Sequence, residues 1–294
     1  MRGYTTKAMI LGAGSLALLL AGPALAADMP TKAPPAPKTP DWDIAVTAAV
    51  MSDYNFRGIT QSNHGASGTA AFEFQYNKIP AGQLYAGIQA WAVNFPQPAF
   101  TSPSAEIDFF GGWRNTWGKF GLDVGGIYYY YPSETFNGIL SNTDFWEVYL
   151  KATYNFTDKF SVGAAVWYSP NWLNTRADGT YANLTAKYVL PDLNPKGLGW
   201  YVSGELGHYW LGTTGGPFVP TFNIPDYTYW NAGLAYTYKQ LTLDLRYHDT
   251  DAGKFKCAQI TSQVAAVTSA QVGANWCDAR FIATLTYANS LNAK

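Results

Sequence analysis

The feature that most constrains this chain is the strict alternation of side-chain character over residues 104–131. Ile107, Phe109, Gly111 and Trp113 fall on one face, and Glu106, Asp108, Gly112 and Arg114 on the other. After a turn at Gly118-Lys119, Phe120, Leu122, Val124, Gly126 and Tyr128 stand opposite Lys119, Asp123 and Gly125. Successive side chains of a strand point to opposite sides, so a period of two broken by a turn predicts a hairpin. One face is apolar and ends in aromatics; the other carries bare charge.

The same module recurs along the chain. Strands are expected around Ile44, Phe72, Ile88, Val148, Val166, Leu184, Val202, Leu234, Leu243 and Leu285, besides the hairpin above. That makes about 12 strands joined by connections that alternate long and short, as in barrels with short periplasmic turns and longer outer loops. A soluble sandwich has no reason for that alternation. The expected fold is all-β: a transmembrane antiparallel up-and-down β-barrel of the bacterial outer-membrane type, its apolar face to lipid and its charged face to a wet interior. A closed sheet leaves no edge, which a lipid environment demands.

Composition agrees. Aromatic residues make up 16% of the chain, with 21 Tyr and 11 Trp, a load that suits two interfacial girdles. Charged residues are only 13%, yet mean hydropathy is −0.12, too polar for a helical membrane protein. A formal charge of −1 argues against nucleic acid as a partner. Arg2 and Lys7, the apolar run from Ala8 to Ala21, and Ala24-Leu25-Ala26 form a signal-peptide pattern, expected to be removed after residue 26. Residues 27–42 are proline-rich and read as a periplasmic linker. Residues 43–294 are the expected barrel, with its longest outer loop at 249–278. The expected location is the outer membrane of a Gram-negative bacterium, with lipid and lipopolysaccharide as surroundings.

Several segments resemble a known family. Ser52-Asp-Tyr-Asn-Phe-Arg-Gly-Ile-Thr-Gln-Ser62 is similar to the opening signature of the TorF-type porins, a family of proteobacterial outer-membrane proteins. Tyr85-Ala-Gly-Ile88, Val93-Asn-Phe95, Glu106-Ile-Asp108, Asp123-Val-Gly125 with Tyr130-Tyr-Pro132, and Glu147-Val-Tyr149 also fit. The resemblance covers about Ser52 to Tyr149 and implies an outer-membrane barrel with a channel role. It carries over no catalytic residues. The cysteine-bearing loop and the end after Tyr287, which lacks a terminal aromatic, depart from the family's pattern.

The residues that bear on function are the inward charges. Arg114, Lys151, Lys187, Arg246 and Arg280 share the interior parity with Glu73, Glu106, Asp108, Asp123, Glu147, Glu205 and Asp244. Arg57, in the family signature at the top of the first strand, is expected to face the lumen or its mouth. Together these are the candidate pore lining. They read either as a charged pore wall passing small hydrophilic solutes or ions, or as a salt-bridged plug. A barrel of about 12 strands is narrower than the 16-stranded porins and wider than the filled 8-stranded barrels. The enzyme alternative rests on His248 and Asp249 near Asp251 at the outer rim, but no nucleophile follows by spacing. No metal or cofactor pattern is present. Cys257 and Cys277 are the only cysteines, and export through an oxidising compartment predicts a disulfide between them. Oligomeric state is not legible.

Overall fold

A computed structural model of the chain describes residues 40–95, 103–134, 142–191, 198–215, 221–261 and 274–292. The expected signal peptide, nearly all of the linker, and the central parts of several long connections, including the 191–199 turn, lie outside the described residues. Strands follow the period-two pattern: β1 (Trp42–Met51), two short strands β2 (Asn55–Phe56) and β3 (Ile59–Thr60), then β4 (Ser67–Ile79), β5 (Gly82–Ala92), β6 (Ala105–Trp117) and β7 (Phe120–Tyr130). The series continues with β8 (Phe145–Asn155), β9 (Phe160–Ser169), β10 (Gly179–Val189), β11 (Leu198–Leu211), β12 (Tyr227–Tyr238), β13 (Leu241–Thr250) and β14 (Arg280–Ser290). All but β2 and β3 pair antiparallel with their sequence neighbours, and β1 closes onto β14, so the sheet is a closed 12-strand up-and-down barrel.

The register places the two faces as the alternation requires. Outward positions are large and apolar: Phe72, Val124, Val148, Leu184, Leu206 and Leu245 are all exposed. Aromatic side chains mark both ends of this band. Trp42, Trp117, Phe120, Tyr154 and Phe160 ring the end with the short turns, and Tyr130, Trp146, Tyr168 and Trp210 the end with the long loops. An apolar belt of this extent in contact with water would be strongly unfavourable; between two aromatic rings it matches a hydrocarbon layer.

Inward positions are polar or aromatic, and their rings lie along the wall for a local reason. Tyr85 is paired across strands with Gly112, Phe110 with Gly87, and Tyr149 with Gly125. A Cβ at Gly125 would stand 2.5 Å from the Tyr149 hydroxyl, and one at Gly112 would stand 2.6 Å from that of Tyr85. The missing side chain is therefore the space the neighbouring ring occupies.

The residues between β1 and β4 correct one expectation. Residues 53–68 read from sequence as a polar loop without strands, with only Arg57 expected toward the lumen or its mouth, but β2 and β3 form a tight hairpin turned into the barrel. Arg57 and Gly58 at its tip have φ of 50° and 91°, the positive pair that a two-residue hairpin of the I′ kind requires. Arginine in that region costs of order 1–3 kcal/mol. That cost is met by what its side chain reaches. The long connection between β13 and β14 also contains structure: a helix, α1 (Lys254–Ile260), anchored by a disulfide from Cys257 to Cys277.

Candidate channel interior

The centre of the interior is Arg57. Its guanidinium donates to both carboxylate oxygens of Glu147, at 2.7 and 2.8 Å. Rings surround it: the guanidinium carbon lies 4.5 Å from the centre of Tyr181 and 5.0 Å from that of Tyr209, with Phe56 and Trp167 near by. Arg57 is 2% exposed and Glu147 is fully buried. Tyr129 donates a further hydrogen bond to Glu147, at 3.0 Å. Bidentate geometry, added hydrogen bonds and cation–π contact are the conditions under which a desolvated ion pair holds.

The hairpin is held on its other sides as well. Asp53 accepts hydrogen bonds from Thr60 (2.5 Å) and Ser62 (2.9 Å). Tyr54 stacks on Trp91, with centroids 4.2 Å apart, and donates to Glu106 at 2.6 Å. Tyr131 donates to the other oxygen of Glu106, at 2.5 Å. Burial first, and then the Glu106 carboxylate, hold both phenols well above their ordinary range, so they stay donors. Residues 275–276, next to Cys277, bond to the hairpin from above. The Thr60 amide donates to the Trp276 carbonyl at 2.9 Å, and His64 Nε2 lies 2.8 Å from the Asn275 carbonyl. Arg280 reaches His64 at the rim, at 3.0 Å.

Toward the short-turn end the remaining charges of the expected pore lining sit on the inner wall, mostly paired. Arg114 donates to Glu73 at 2.7 Å and to Gln83. Asp123 accepts from Tyr85 at 2.5 Å and lies 4.0 Å from Lys151. Arg246 pairs with Asp244 at 2.8 Å and also donates to Asn231 and Ser203. Glu205 accepts from Tyr181, Asn183 and Asn231. Lys187 differs: its ammonium lies 4.1 Å from the centre of Tyr201, and among the described residues no carboxylate is within ion-pair distance. Around it Thr153, Ser161, Gly163, Thr185 and Ser203 are only half-buried, whereas Glu73, Gln75 and Arg114 opposite are buried. The inner wall is thus less tightly covered along β8–β11 than along β4–β6. Below the hairpin tip is a cavity of about 70 Å³, bounded by Trp91, Asp108, Tyr129, Arg57, Arg246 and His248, room for a few water molecules.

The histidine alternative does not assemble. His248 points inward, where Nδ1 meets the Tyr229 hydroxyl at 2.7 Å; Asp249 points outward and accepts from Tyr247. Adjacent strand residues face opposite ways, so the two cannot act as a dyad. Asp251 is taken up by the Thr228 amide and Lys256. Sequence reasoning missed Tyr54, Trp91, Tyr131, Tyr181 and Tyr209. Tyr181 and Tyr209 sit at inward parity among charges, a signal that is available in the alternation. Nothing in the local pattern of Tyr54 or Tyr131 announces a carboxylate 52 or 25 residues away.

A family model described as "Bacterial protein of unknown function (Gcw_chp)" matches residues 36–276. No curated protein matches the sequence. Among solved structures, the chain is similar to an outer membrane channel from Pseudomonas putida F1, with 13% identity, a TM-score of 0.48, and coverage of 86% of this chain and 97% of that one. It is similar to the KdgM porin at 10% identity and a TM-score of 0.42, covering 83% and 98%. It is also similar to LpxR from Salmonella typhimurium at 10% identity and a TM-score of 0.40, covering 83% and 99%. Likenesses this low transfer nothing of those proteins' activities to this chain.

Proposed function

The chain belongs to the Gcw_chp family of bacterial proteins of unknown function, and from that premise we propose that it is an outer-membrane channel for small hydrophilic solutes or ions, held shut by its β2–β3 hairpin. The exposed apolar belt between two aromatic rings supports the membrane location. The observation that carries the channel reading is the pairing of an inward hairpin with an inner wall of charged and half-buried polar side chains. Charge of both signs lines the inner wall, half-buried polar side chains surround Lys187 along β8–β11, and one buried ion pair, Arg57 to Glu147, joins the hairpin tip to the barrel wall. A barrel kept only for its outer surface has no need of a strained, charged tip in its lumen. The resemblance of residues 52–149 to the TorF-type porins supports the same reading and stays part of the proposal, as does lipopolysaccharide contact at the loop end.

In this mechanism the hairpin is a stopper on a hinge of residues 52–66. Displacing it exposes Glu147 and the aromatic ring set to water, and solutes then pass charges acting at close range in a low-dielectric wall. Because the two signs nearly balance, selectivity is modest. The test is single-channel recording in planar bilayers. Wild-type protein gives rare or brief openings; Arg57→Ala gives frequent ones, and deletion of residues 55–60 gives a persistently open channel. Silence from all three proteins would sink the channel reading and leave a structural barrel filled by its own ion pairs.

A further inference from the structure

His64 lies in the hinge of the hairpin, and its imidazole has three partners that it cannot serve at once. Nδ1 is 3.0 Å from Asp53 Oδ2, and the Arg280 Nε–H donates to the same nitrogen at 3.0 Å. Nε2 is 2.8 Å from the Asn275 carbonyl oxygen. A carboxylate and a carbonyl only accept, and a guanidinium only donates. The neutral ring with its proton on Nε2 bonds Asn275 and Arg280 but turns a lone pair on Asp53. The other neutral tautomer bonds Asp53 alone. The charged ring donates to Asp53 and Asn275 and gives up Arg280.

The surroundings decide what each choice does. Asp53 is buried, and its Oδ1 accepts from Thr60 and Ser62; among the described residues the bond given to Oδ2 is the imidazole's. That oxygen is left without a donor whenever Nδ1 carries no proton, which is costly at a buried site. Three segments meet at the ring: the chain entering the hairpin with Asp53, residues 274–278 beside the disulfide with Asn275, and β14 with Arg280. Asp278 on the second segment is exposed and outside ion-pair distance of His64 and Arg280, and His248, opposite Arg280 on β13, bonds Tyr229. Charge-assisted hydrogen bonds are about twice as strong as neutral ones, so a proton on the ring strengthens the bond to Asn275 and adds the one to Asp53. The bond lost is that of Arg280, which is half-buried at the rim and regains water.

We propose that His64 is a proton-operated latch on the hairpin: when the imidazole takes up a proton, Nδ1 exchanges Arg280 for Asp53, and the hairpin base is held more tightly to itself and to residues 275–276. As a statement about the ring and its partners it stands apart from the channel reading; as a statement that acid holds the channel shut, it rests on that reading.

The detergent-purified full chain tests it at pH 8 and pH 5, which bracket the range in which imidazoles ordinarily titrate. The chain has three histidines, so 15N-histidine labelling gives few signals, and His64→Gln identifies those of His64. At pH 8 the proton is expected on Nε2 with Nδ1 bare, and at pH 5 on both nitrogens. A proton on Nδ1 at pH 8, with Nε2 bare, would overturn the latch, because Asp53 would then be bonded throughout. Amide hydrogen exchange, corrected for its intrinsic pH dependence, gives the second readout. Protection of residues 58–64 should be about ten-fold higher at pH 5 than at pH 8 in wild-type protein, and the difference should vanish in His64→Gln and in Asp53→Asn. Equal or lower protection at pH 5 in wild-type protein would also overturn it. If the variants fail to fold, the wild-type tautomer and exchange decide alone. In planar bilayers, openings should be rarer at pH 5 than at pH 8. Acid-tightened exchange in a protein that never conducts leaves the latch standing and removes the channel reading; conductance with exchange that ignores pH does the reverse.

Discussion

Arg57 and Glu147, 90 residues apart in sequence, meet in a two-pronged ion pair that is sealed from solvent on every side. One sits on a hairpin tip with a strained backbone, the other in the middle of a barrel strand. Their meeting ties the hairpin to the barrel wall.

Removing one partner should hurt more than removing both. Arg57→Met leaves Glu147 buried and unpaired, and Glu147→Leu strands the guanidinium; each is expected to cost about 3–5 kcal/mol. The double variant replaces a buried pair by apolar groups and should cost far less than the sum. Reversible urea unfolding in lipid vesicles measures this. Additive losses would show that the pair is not coupled and that the hairpin is held by other contacts.

The two faces of β7 should respond oppositely to charge. Val124 is exposed on the outer face mid-strand, and Asp123 beside it is buried inside. Val124→Arg is expected to destabilise by about 2–4 kcal/mol in lipid. Asp123→Asn keeps an acceptor for the Tyr85 hydroxyl and should cost less. The same vesicle unfolding assay compares them, and equal effects would contradict the register.

Inward glycines should resist substitution only where a ring lies over them. Gly125→Val drives a side chain into the Tyr149 hydroxyl, with a cost of about 1–3 kcal/mol and loss of the 2.5 Å contact between Tyr149 and Tyr85. Gly215→Ala, a control in the connection after β11 where a Cβ meets nothing within 4 Å, should be neutral. A neutral Gly125→Val would mean that the wall has room its rings do not fill.

Reducing the disulfide should loosen the stopper. Closing the 20-residue separation between Cys257 and Cys277 contributes roughly 3 kcal/mol to that loop by loop-closure entropy. Because Trp276 and Asn275 hold Thr60 and His64, reduction is expected to speed amide exchange in residues 58–64 as well as in α1, and to leave the barrel strands protected. Hydrogen exchange with and without reductant reads this out. Unchanged exchange at 58–64 would show that the two loops are independent.

Alkaline pH should act on the Glu106 cradle. The Tyr54 and Tyr131 phenols are raised, so the stability they contribute is complete below the unfolded value of about 10 and is lost as pH rises through their higher folded values. In a difference titration at 295 nm, wild-type against Tyr54→Phe/Tyr131→Phe, the two phenols should be silent near pH 10 in the folded barrel and titrate there once unfolded. Titration of both at pH 10 in the folded state would mean the cradle is open to water.

Much of the barrel was legible because its determinants are local. Alternation at Ile107 to Arg114 and at Phe120 to Tyr128 decides which way each side chain points, whatever the neighbouring strand. The alternation of long and short connections decides which strands are neighbours. From these alone follow the 12-strand closed sheet and the inward parity of Glu73, Asp123, Lys151 and Arg246. The cysteine pairing followed from there being only two.

What the tertiary structure alone decided is which inward groups meet and where residues 52–66 go. Period two says that Glu147 and Arg114 point inside; it is silent on the partner each finds across the barrel, because that depends on strand order, stagger and diameter acting together. The fate of residues 52–66 is the sharpest case. From sequence Arg57 is expected to face the lumen or its mouth, but nothing local says that its whole loop folds as a hairpin into the barrel. It turns inward because a carboxylate at 147 and rings at 167, 181 and 209, all remote in sequence, make the interior a better solvent for the Arg57 guanidinium than the strained turn costs.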